Sequence, residues 1–266
     1  MTTQFATSSD NICIAYEVYG AGPALVLLHG GGSSRQDWLV GGYVDRLKND
    51  FTVITVDLRG HGESDKPLNP GEYSTKKMSQ DFLAVADACG IEHFILCGYS
   101  FGGNIGRYLA ARSERVEKFV MIGSSFGEGV SGEFRQFVLD FRERWAPVVC
   151  SLMGDPPAGS LDPKLLSQQD QEDASQLSFP GELIPVVMAW SSAMLDWEVI
   201  GPMDIRSPAL WLFGMENSNA MESYSRYKGE LPGSKVQVHK LDGFDHVQEF
   251  SLIDRFLPVW LEFLRK

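Results

Sequence analysis

Short apolar runs alternate with amphipathic stretches along most of this 266-residue chain. The runs have the length and the branched side chains that are typical of buried strands, and they lie at 24–28, 51–56, 94–97, 117–122, 208–214 and 235–241. A hairpin is predicted before them, over 4–19. Between the runs, apolar residues recur at helical spacing, most clearly over 75–89. The pattern predicts an α/β fold with a mostly parallel, twisted sheet of about eight strands flanked by helices.

The alternation of strands and helices stops between residues 125 and 205. Three helical segments are predicted there instead, at 133–145, 163–175 and 182–197, with glycine and proline between them. The stretch holds 13 acidic and 4 basic residues, so its net charge of −9 accounts for most of the −12 of the chain. We expect a helical lid inserted after the sixth strand, over a core formed by residues 1–124 and 206–266.

Three polar or glycine-rich motifs directly follow predicted strands. They are H-G-G-G at 29–32, D-L-R-G-H-G-E-S at 57–64 and G-Y-S-F-G-G at 98–103. Ligand sites of open α/β sheets lie outside the carboxyl ends of the strands. We therefore expect the three motifs to meet at one edge of the sheet.

The G-x-S-x-G motif places Ser100 between a predicted strand and a predicted helix. A turn this tight forms only between small neighbours, which is the physical reason for Gly98 and Gly102. The helix that follows offers free N–H groups and the positive end of its dipole to a developing oxyanion. A glycine-rich turn that happens to contain a serine is the alternative, and the strand and helix on either side favour a nucleophile.

Acyl transfer also needs hydrogen-bond donors aimed at the position where negative charge develops. The three glycines after His29 allow the backbone to approach a ligand and to turn an N–H inward, and the N–H of Phe101 is the expected partner donor. His29 itself is interpreted as a residue that braces its loop. A flexible loop after a strand is the alternative interpretation of this motif.

His246 is the histidine whose surroundings suit a general base. It lies in a glycine-containing loop after the last predicted strand and before an amphipathic helix, where it can shuttle a proton and still be held by a partner. An exposed loop histidine is the alternative. His61 lies between two glycines in a loop rich in charges, and we interpret that loop, including Asp57 and Arg59, as local structure.

These motifs resemble those of the α/β-hydrolase fold family, in its lid-bearing single-chain branch. The same three motifs and the G-F-D-H of residues 243–246 occur in the family's order and at its spacing, over nearly the whole chain, with 125–205 as the least informative part. The resemblance implies Ser100 as the nucleophile, His246 as the base, and the N–H groups of Gly31 and Phe101 as the oxyanion hole.

The acid of the family's triad is where this sequence departs from the pattern. The acid usually lies three residues after the glycine that ends the strand resuming the sheet, and counting from Gly214 this position is Asn217, an amide. We predict Glu216 as the acid, through a shifted loop. Two alternatives stay open: Asn217 occupies the position as a weak orienter, or a carboxylate elsewhere serves, such as Glu128 or Asp245.

A serine nucleophile separates this chain from the family's haloalkane dehalogenases and epoxide hydrolases, which attack with aspartate. The resemblance then implies a hydrolase acting on ester bonds, similar to carboxylesterases and lactonases, through a Ser-His-acid triad and an acyl-enzyme. Carbon–carbon hydrolysis and perhydrolysis use the same serine and stay open. A receptor-like or slow-turnover binding protein on the same fold is the alternative from another class, and the amide at Asn217 is the feature that keeps it open.

Composition narrows the expected partners and the compartment. No apolar run approaches the roughly 20 residues of a membrane span, and the N-terminal stretch lacks the pattern of a secretory signal. The four cysteines form no C-x-x-C pair and are expected to be buried thiols, which favours the cytoplasm. The net charge argues against nucleic acid and anionic membranes. The expected substrate is a small neutral or apolar ester or lactone; no metal or cofactor is implied, and oligomeric state is left open.

Overall fold

A computed structural model describes residues 2–266, which form helices packed on an eight-stranded sheet. The strands are β1 (Gln4–Thr7), β2 (Cys13–Tyr19), β3 (Ala24–Leu28), β4 (Thr52–Val56), β5 (Phe94–Tyr99), β6 (Val116–Ile122), β7 (Ala209–Gly214) and β8 (Val236–Leu241). Their order across the sheet is β1-β2-β4-β3-β5-β6-β7-β8. β2 pairs antiparallel with β1 and β4, and the other neighbours pair in parallel. The prediction of a mostly parallel sheet of eight strands is confirmed.

Parallel pairing brings the carboxyl ends of the central strands to one edge. Leu28, the last residue of β3, pairs with Val56 of β4 on one side and with Gly98 of β5 on the other. At the end of β5, Tyr99 pairs with Ile122 of β6. The loops that leave these strands therefore begin side by side, as a site at the carboxyl edge requires.

Ten α-helices accompany the sheet in the described part of the chain. They are α1 (Gln36–Val40), α2 (Tyr43–Leu47), α3 (Thr75–Ala88), α4 (Phe101–Arg112), α5 (Gly132–Met153), α6 (Gln168–Ser175), α7 (Ile184–Met194), α8 (Ser218–Tyr227), α9 (Gln248–Ser251) and α10 (Leu257–Arg265). α3 begins where the sequence predicts because Ser74 caps it, with its Oγ accepting the N–H of Lys77. None of the helices in this described range has the length and apolarity that crossing a membrane demands.

Two helical stretches are broken in the structure. Gly42 separates α1 from α2 with a φ of 73°, a conformation that glycine adopts without strain. The C-terminal helix is interrupted between α9 and α10, where Leu252 has a non-helical ψ of 46°. Pro258 then lies in the first turn of α10, the part of a helix that tolerates proline.

Helices α5, α6 and α7 lie between β6 and β7, in the stretch where the sequence predicts three helices, and residues 125–205 are called the insertion below. α5 is longer than the predicted 133–145, because it continues through Pro147 and ends at Met153, just before Gly154. Ten of the 11 residues of α7 are buried. Trp197, after α7, donates its indole N–H to the carbonyl of Tyr73 at 3.0 Å, so this end of the insertion is tied to the core.

The two faces of the sheet are covered by different helices. Along β3, Val26 and Leu28 belong to a buried cluster that includes α3, α4 and the insertion, whereas Leu25 and Leu27 pack with α1, α2 and α10. This alternation is the period-two pattern of a strand buried on both sides. The insertion therefore lies over one face and the carboxyl edge, and the opposite face carries the C-terminal helix.

The four cysteines are free thiols in different surroundings. Cys97 is buried in β5, Cys13 and Cys89 are partly buried, and Cys150 is exposed on α5. The expectation that all four are buried is therefore wrong for Cys150, because α5 extends beyond the predicted boundary and turns this residue to solvent.

Candidate active site

Ser100 occupies the turn between β5 and α4 in a strained backbone conformation. Its φ is 51° and its ψ is −117°, outside the regions that non-glycine residues normally adopt. A Cβ at Gly98 would collide with the backbone of Gly102 and Gly103, and a Cβ at Gly102 would collide with the carbonyl of Leu28. Both glycines of the motif are therefore required by the close approach of backbone around Ser100.

The loop after β8 brings His246 to Ser100. Nε2 of His246 lies 3.0 Å from Oγ of Ser100 across 146 residues of sequence. Tyr99 supports the placement, because its hydroxyl donates to the carbonyl of His246 at 2.7 Å and its ring stacks on the imidazole with 5.2 Å between centroids. The structure thus brings together the serine and the histidine that the sequence selects.

A carboxylate that sequence reasoning missed lies against the other side of the imidazole. Oε2 of Glu249 is 2.8 Å from Nδ1 of His246, and Glu249 is fully buried. The side chain comes from α9, one helical turn after the histidine. Because Nε2 faces the hydroxyl of Ser100 as an acceptor, Nδ1 carries the ring hydrogen and donates it to Glu249.

The prediction of Glu216 as the partner of the imidazole is wrong. Within residues 2–266 the side chain of Glu216 forms no hydrogen bond or ion pair, and it is exposed at the margin of the cavity described below. The physical reason is that the Glu216 N–H donates to the carbonyl of Phe244 at 2.9 Å, which fixes the loop so that the following residue faces the histidine.

The other two carboxylates considered as the acid, those of Asp245 and Glu128, interact with other residues. Asp245 accepts the backbone N–H of Gln248 at 2.8 Å at the start of α9. Glu128 pairs with Arg226 at 3.0 Å on an exposed surface. Neither carboxylate contacts the imidazole.

Asn217 occupies the place at which the resemblance puts the acid. Its Nδ2 lies 3.2 Å from Nδ1 of His246 and 3.0 Å from each carboxylate oxygen of Glu249. The charge beside the ring therefore comes from residue 249. A signal for it exists in the sequence, because an acidic residue three positions after the candidate base, at a helix start, lies one turn away on the same face.

The N–H groups of Gly31 and Phe101 are free to bind a ligand. Neither N–H has a hydrogen-bond partner among residues 2–266, and both residues line the cavity. Phe101 is the first residue of α4, so its N–H is one of the unpaired donors at a helix start. A Cβ on Gly31 would lie 3.5 Å from Cβ of Phe101, so the two predicted donors belong to adjacent residues in space.

His29 and His61 brace the loops beneath the site. Nε2 of His29 accepts the N–H of Leu58 at 3.0 Å and Nδ1 donates to the carbonyl of Gly30 at 2.7 Å, which ties two of the motifs together. Burial lowers the pKa of His29 to about 4 and that of His61 to about 3, so both rings are neutral near pH 7. The geometry agrees with the interpretation of His29 as a bracing residue.

A cavity of about 530 Å³ opens beside Ser100 and His246. Its apolar side comes mainly from the insertion, through Phe134, Phe137, Phe179, Val187, Trp190 and Met194. Three carboxylates lie along it, on Glu128, Glu216 and Asp245, and none of the lining residues is a lysine or an arginine. Within residues 2–266, no group of three or more His, Cys, Asp or Glu side chains is arranged to hold a metal ion.

Comparison with known proteins identifies the family. A family model described as the alpha/beta hydrolase fold matches residues 23–247, so this chain belongs to the alpha/beta hydrolase fold family. The match includes the strands β3 to β8, the turn that holds Ser100, and His246 near its end.

Individual relatives are more distant. The chain is 34% identical over 146 residues to a putative 2-succinyl-6-hydroxy-2,4-cyclohexadiene-1-carboxylate synthase of Bacillus subtilis. The aligned residues cover 54% of this chain and 52% of the relative. The chain thus spans about half the length of this curated relative.

Two solved structures are similar over almost their whole length. An epoxide hydrolase from hot-environment metagenomes has a TM-score of 0.75 at 17% identity, covering 99% of this chain and 98% of its own. A thermophilic esterase from Thermogutta terrifontis has a TM-score of 0.74 at 20% identity, covering 100% and 98%. At this level of identity the likeness establishes the fold alone.

Proposed function

We propose that this protein is a serine hydrolase that cleaves a small, mostly apolar ester or lactone through an acyl-enzyme. Ser100 is the nucleophile, His246 the general base and Glu249 the acid. The observation that carries the proposal is the continuous chain of contacts from Oγ of Ser100 to Nε2 of His246 at 3.0 Å, and from Nδ1 to Glu249 at 2.8 Å. Nucleophile, base and orienting group in hydrogen-bond reach of one another are the requirement for this chemistry.

In the first step, His246 removes the proton of Ser100 as Oγ attacks the substrate carbonyl. The imidazolium that forms carries the proton of Ser100 on Nε2. The buried carboxylate of Glu249, beside Nδ1, stabilises its positive charge. The negative charge on the carbonyl oxygen is accepted by the N–H groups of Gly31 and Phe101. Each such donor contributes about 3 kcal/mol to the transition state.

In the second step, the leaving group takes the proton from His246 and departs, and the acyl group stays on Ser100. Water activated by the same histidine then attacks the acyl carbonyl, and the bond to Oγ breaks. The acid product leaves with Ser100 protonated again. Both steps use the same five groups, and neither requires a metal ion or an organic cofactor.

The cavity lining suggests the substrate class. Aromatic and aliphatic side chains of the insertion face an apolar group of the substrate, and we propose that the insertion acts as a lid domain over the core of residues 1–124 and 206–266. The carboxylates of Glu128, Glu216 and Asp245 would repel an anionic group. We therefore expect p-nitrophenyl butyrate to be hydrolysed with a higher kcat/KM than a p-nitrophenyl monoester carrying a terminal carboxylate.

A non-catalytic binding protein is the competing interpretation, because an amide occupies the expected place of the acid. The position of Glu249 supports the enzyme instead, since the imidazole has a buried carboxylate partner that the amide does not replace. The two functions make different predictions for Ser100.

The test is hydrolysis of p-nitrophenyl acetate and butyrate by the wild type and by Ser100→Ala. Ser225→Ala is a matched control, because Ser225 is exposed on α8 and outside the cavity lining. We expect the Ser100 variant to lose at least about 1,000-fold in kcat, because a missing nucleophile leaves only oxyanion binding, and the Ser225 variant to match the wild type. Equal, trivial rates in all three proteins would favour the binding protein.

A further inference from the structure

The carboxylate of Glu249 is buried without a cationic partner. Its Oε1 accepts a hydrogen bond from the N–H of Gly214 at 2.5 Å, and its Oε2 accepts one from the Nδ1–H of His246 at 2.8 Å. Nδ2 of Asn217 lies 3.0 Å from both oxygens. In the described chain no lysine or arginine forms an ion pair with Glu249. A buried carboxylate in such surroundings depends on each neutral donor that it has.

The amide of Asn217 is held in one orientation. Its Oδ1 accepts the N–H of Ala220 at 3.1 Å as the N-cap of α8, so Nδ2 is left to face Glu249. Nδ2 also lies 3.2 Å from Nδ1 of His246, but both nitrogens carry hydrogen when the ring donates to Glu249. The amide therefore acts on the carboxylate rather than on the ring.

We propose that Asn217 is a positioning residue that holds the Glu249 carboxylate for His246, and that positions 217 and 249 are interchangeable sites for the acid. The inference rests on the proposed function for its kinetic consequences. Two carboxylates cannot both be ionised at 3.0 Å without strong repulsion. An ionised acid at position 249 therefore requires a neutral side chain, such as an amide, at position 217. For the same reason, an amide at position 249 should permit an ionised acid at position 217.

The experiment is a double-mutant cycle. Glu249→Gln should lower kcat about 1,000-fold or more, because an amide cannot stabilise the imidazolium by charge. Asn217→Asp combined with Glu249→Gln should regain at least tenfold of that loss, since the carboxylate then lies beside Nδ1 from the other position. Asn217→Asp alone should be less active than the wild type, with an additional ionisation in its pH–rate profile from the paired carboxyls.

Asn49→Asp combined with Glu249→Gln is the matched control, because Asn49 is exposed and the two double variants carry the same net charge. It should stay at the level of Glu249→Gln. A double variant at 217 and 249 that is no more active than this control would overturn the inference, because the acid sites would then not be interchangeable.

A second readout needs no substrate. The proton on Nδ1 of His246 gives a downfield NMR signal when it is bonded to an ionised carboxylate; we expect the signal to be lost in Glu249→Gln and to return in the 217/249 double variant. Its return in a protein without esterase activity would support the inference while the proposed function fails. Its absence from the double variant, with wild-type esterase activity intact, would overturn the inference alone.

Discussion

The two sides of the cavity are built from different interactions. On the core side, the polar groups around Ser100 hold one another in fixed positions. His246 is hydrogen-bonded to Glu249, and Glu249 accepts hydrogen bonds from Asn217 and from a backbone N–H. On the insertion side, Phe134 and Phe137 contribute stacked rings with 6.0 Å between centroids and no polar contacts of that kind.

The ion pairs of the two sides differ in the same way. Under the core side, Arg59 is fully buried and donates to Asp81 at 2.6 Å, in the charged motif that the sequence analysis interprets as local structure. In the insertion, Arg144 pairs with Asp170 at 2.5 Å on a part-exposed surface, where an ion pair contributes little. The comparison teaches that the atoms proposed to take part in bond breaking lie on a rigid frame, whereas the apolar side of the cavity rests on contacts that tolerate substitution.

The largest expected effect separates two carboxylates on the core side. Glu249→Gln should reduce kcat about 1,000- to 10,000-fold with little change in KM, because the loss falls on the transition state alone. Glu216→Gln should cost less than about threefold, because Glu216 is exposed and does not touch the imidazole. Steady-state kinetics on p-nitrophenyl butyrate measure both. A greater loss in the Glu216 variant would return the acid to the position predicted from the sequence.

The serine turn was predictable because backbone geometry dictates its residues. Gly98 and Gly102 lie where a Cβ collides with backbone, and such a requirement is written in the local sequence. The strands were predictable for a similar reason, since Leu25 to Leu28 alternate between two buried faces.

The carboxylate proposed as the acid could not be predicted with the same rules, because any carboxylate whose oxygen reaches Nδ1 of His246 can serve. Its identity depends on how the loop after β7 meets α9, which is a tertiary contact between residues 217 and 249. The break in the C-terminal helix was not predicted either: α9 ends at Ser251, and Leu252 after it has a non-helical ψ of 46°. Sequence reasoning thus finds the residues that the backbone demands and misses those selected by contact.

A smaller effect tests the rigidity of the core side through pH. His29 and His61 have pKa values lowered by burial to about 4 and 3, against about 6.5 for an exposed histidine. Between the folded pKa and the unfolded pKa of each histidine, the unfolded chain binds more protons than the folded one. The free energy of unfolding therefore falls as the pH drops through 6.5, and it levels off below the pKa values of the folded protein. Between pH 7 and pH 5, each histidine should cost about 2 kcal/mol of unfolding free energy.

Chemical denaturation of His61→Gln at the two pH values checks this. We expect the variant to be less stable than the wild type at pH 7, but to lose about 2 kcal/mol less on acidification, because one of the two buried rings is gone. His93→Gln is the control, because His93 is exposed and outside these loops. An unchanged pH dependence in the His61 variant would show that the His61 ring is not held neutral in the folded protein and is not part of the rigid frame.

The smallest effect is expected on the insertion side, at Phe137. Its ring is 45% exposed, lines the cavity, and stacks on Phe134 and Phe141. Phe137→Ala should raise KM for p-nitrophenyl butyrate about three- to tenfold, equivalent to about 1 kcal/mol, and leave kcat nearly unchanged, because the ring binds ground state and transition state equally. Leu139→Ala, on the same helix but outside the cavity, should match the wild type. If Phe137→Ala instead lowers kcat as strongly as KM rises, the insertion takes part in aligning the reacting atoms, and the division between a rigid reactive side and a tolerant binding side fails.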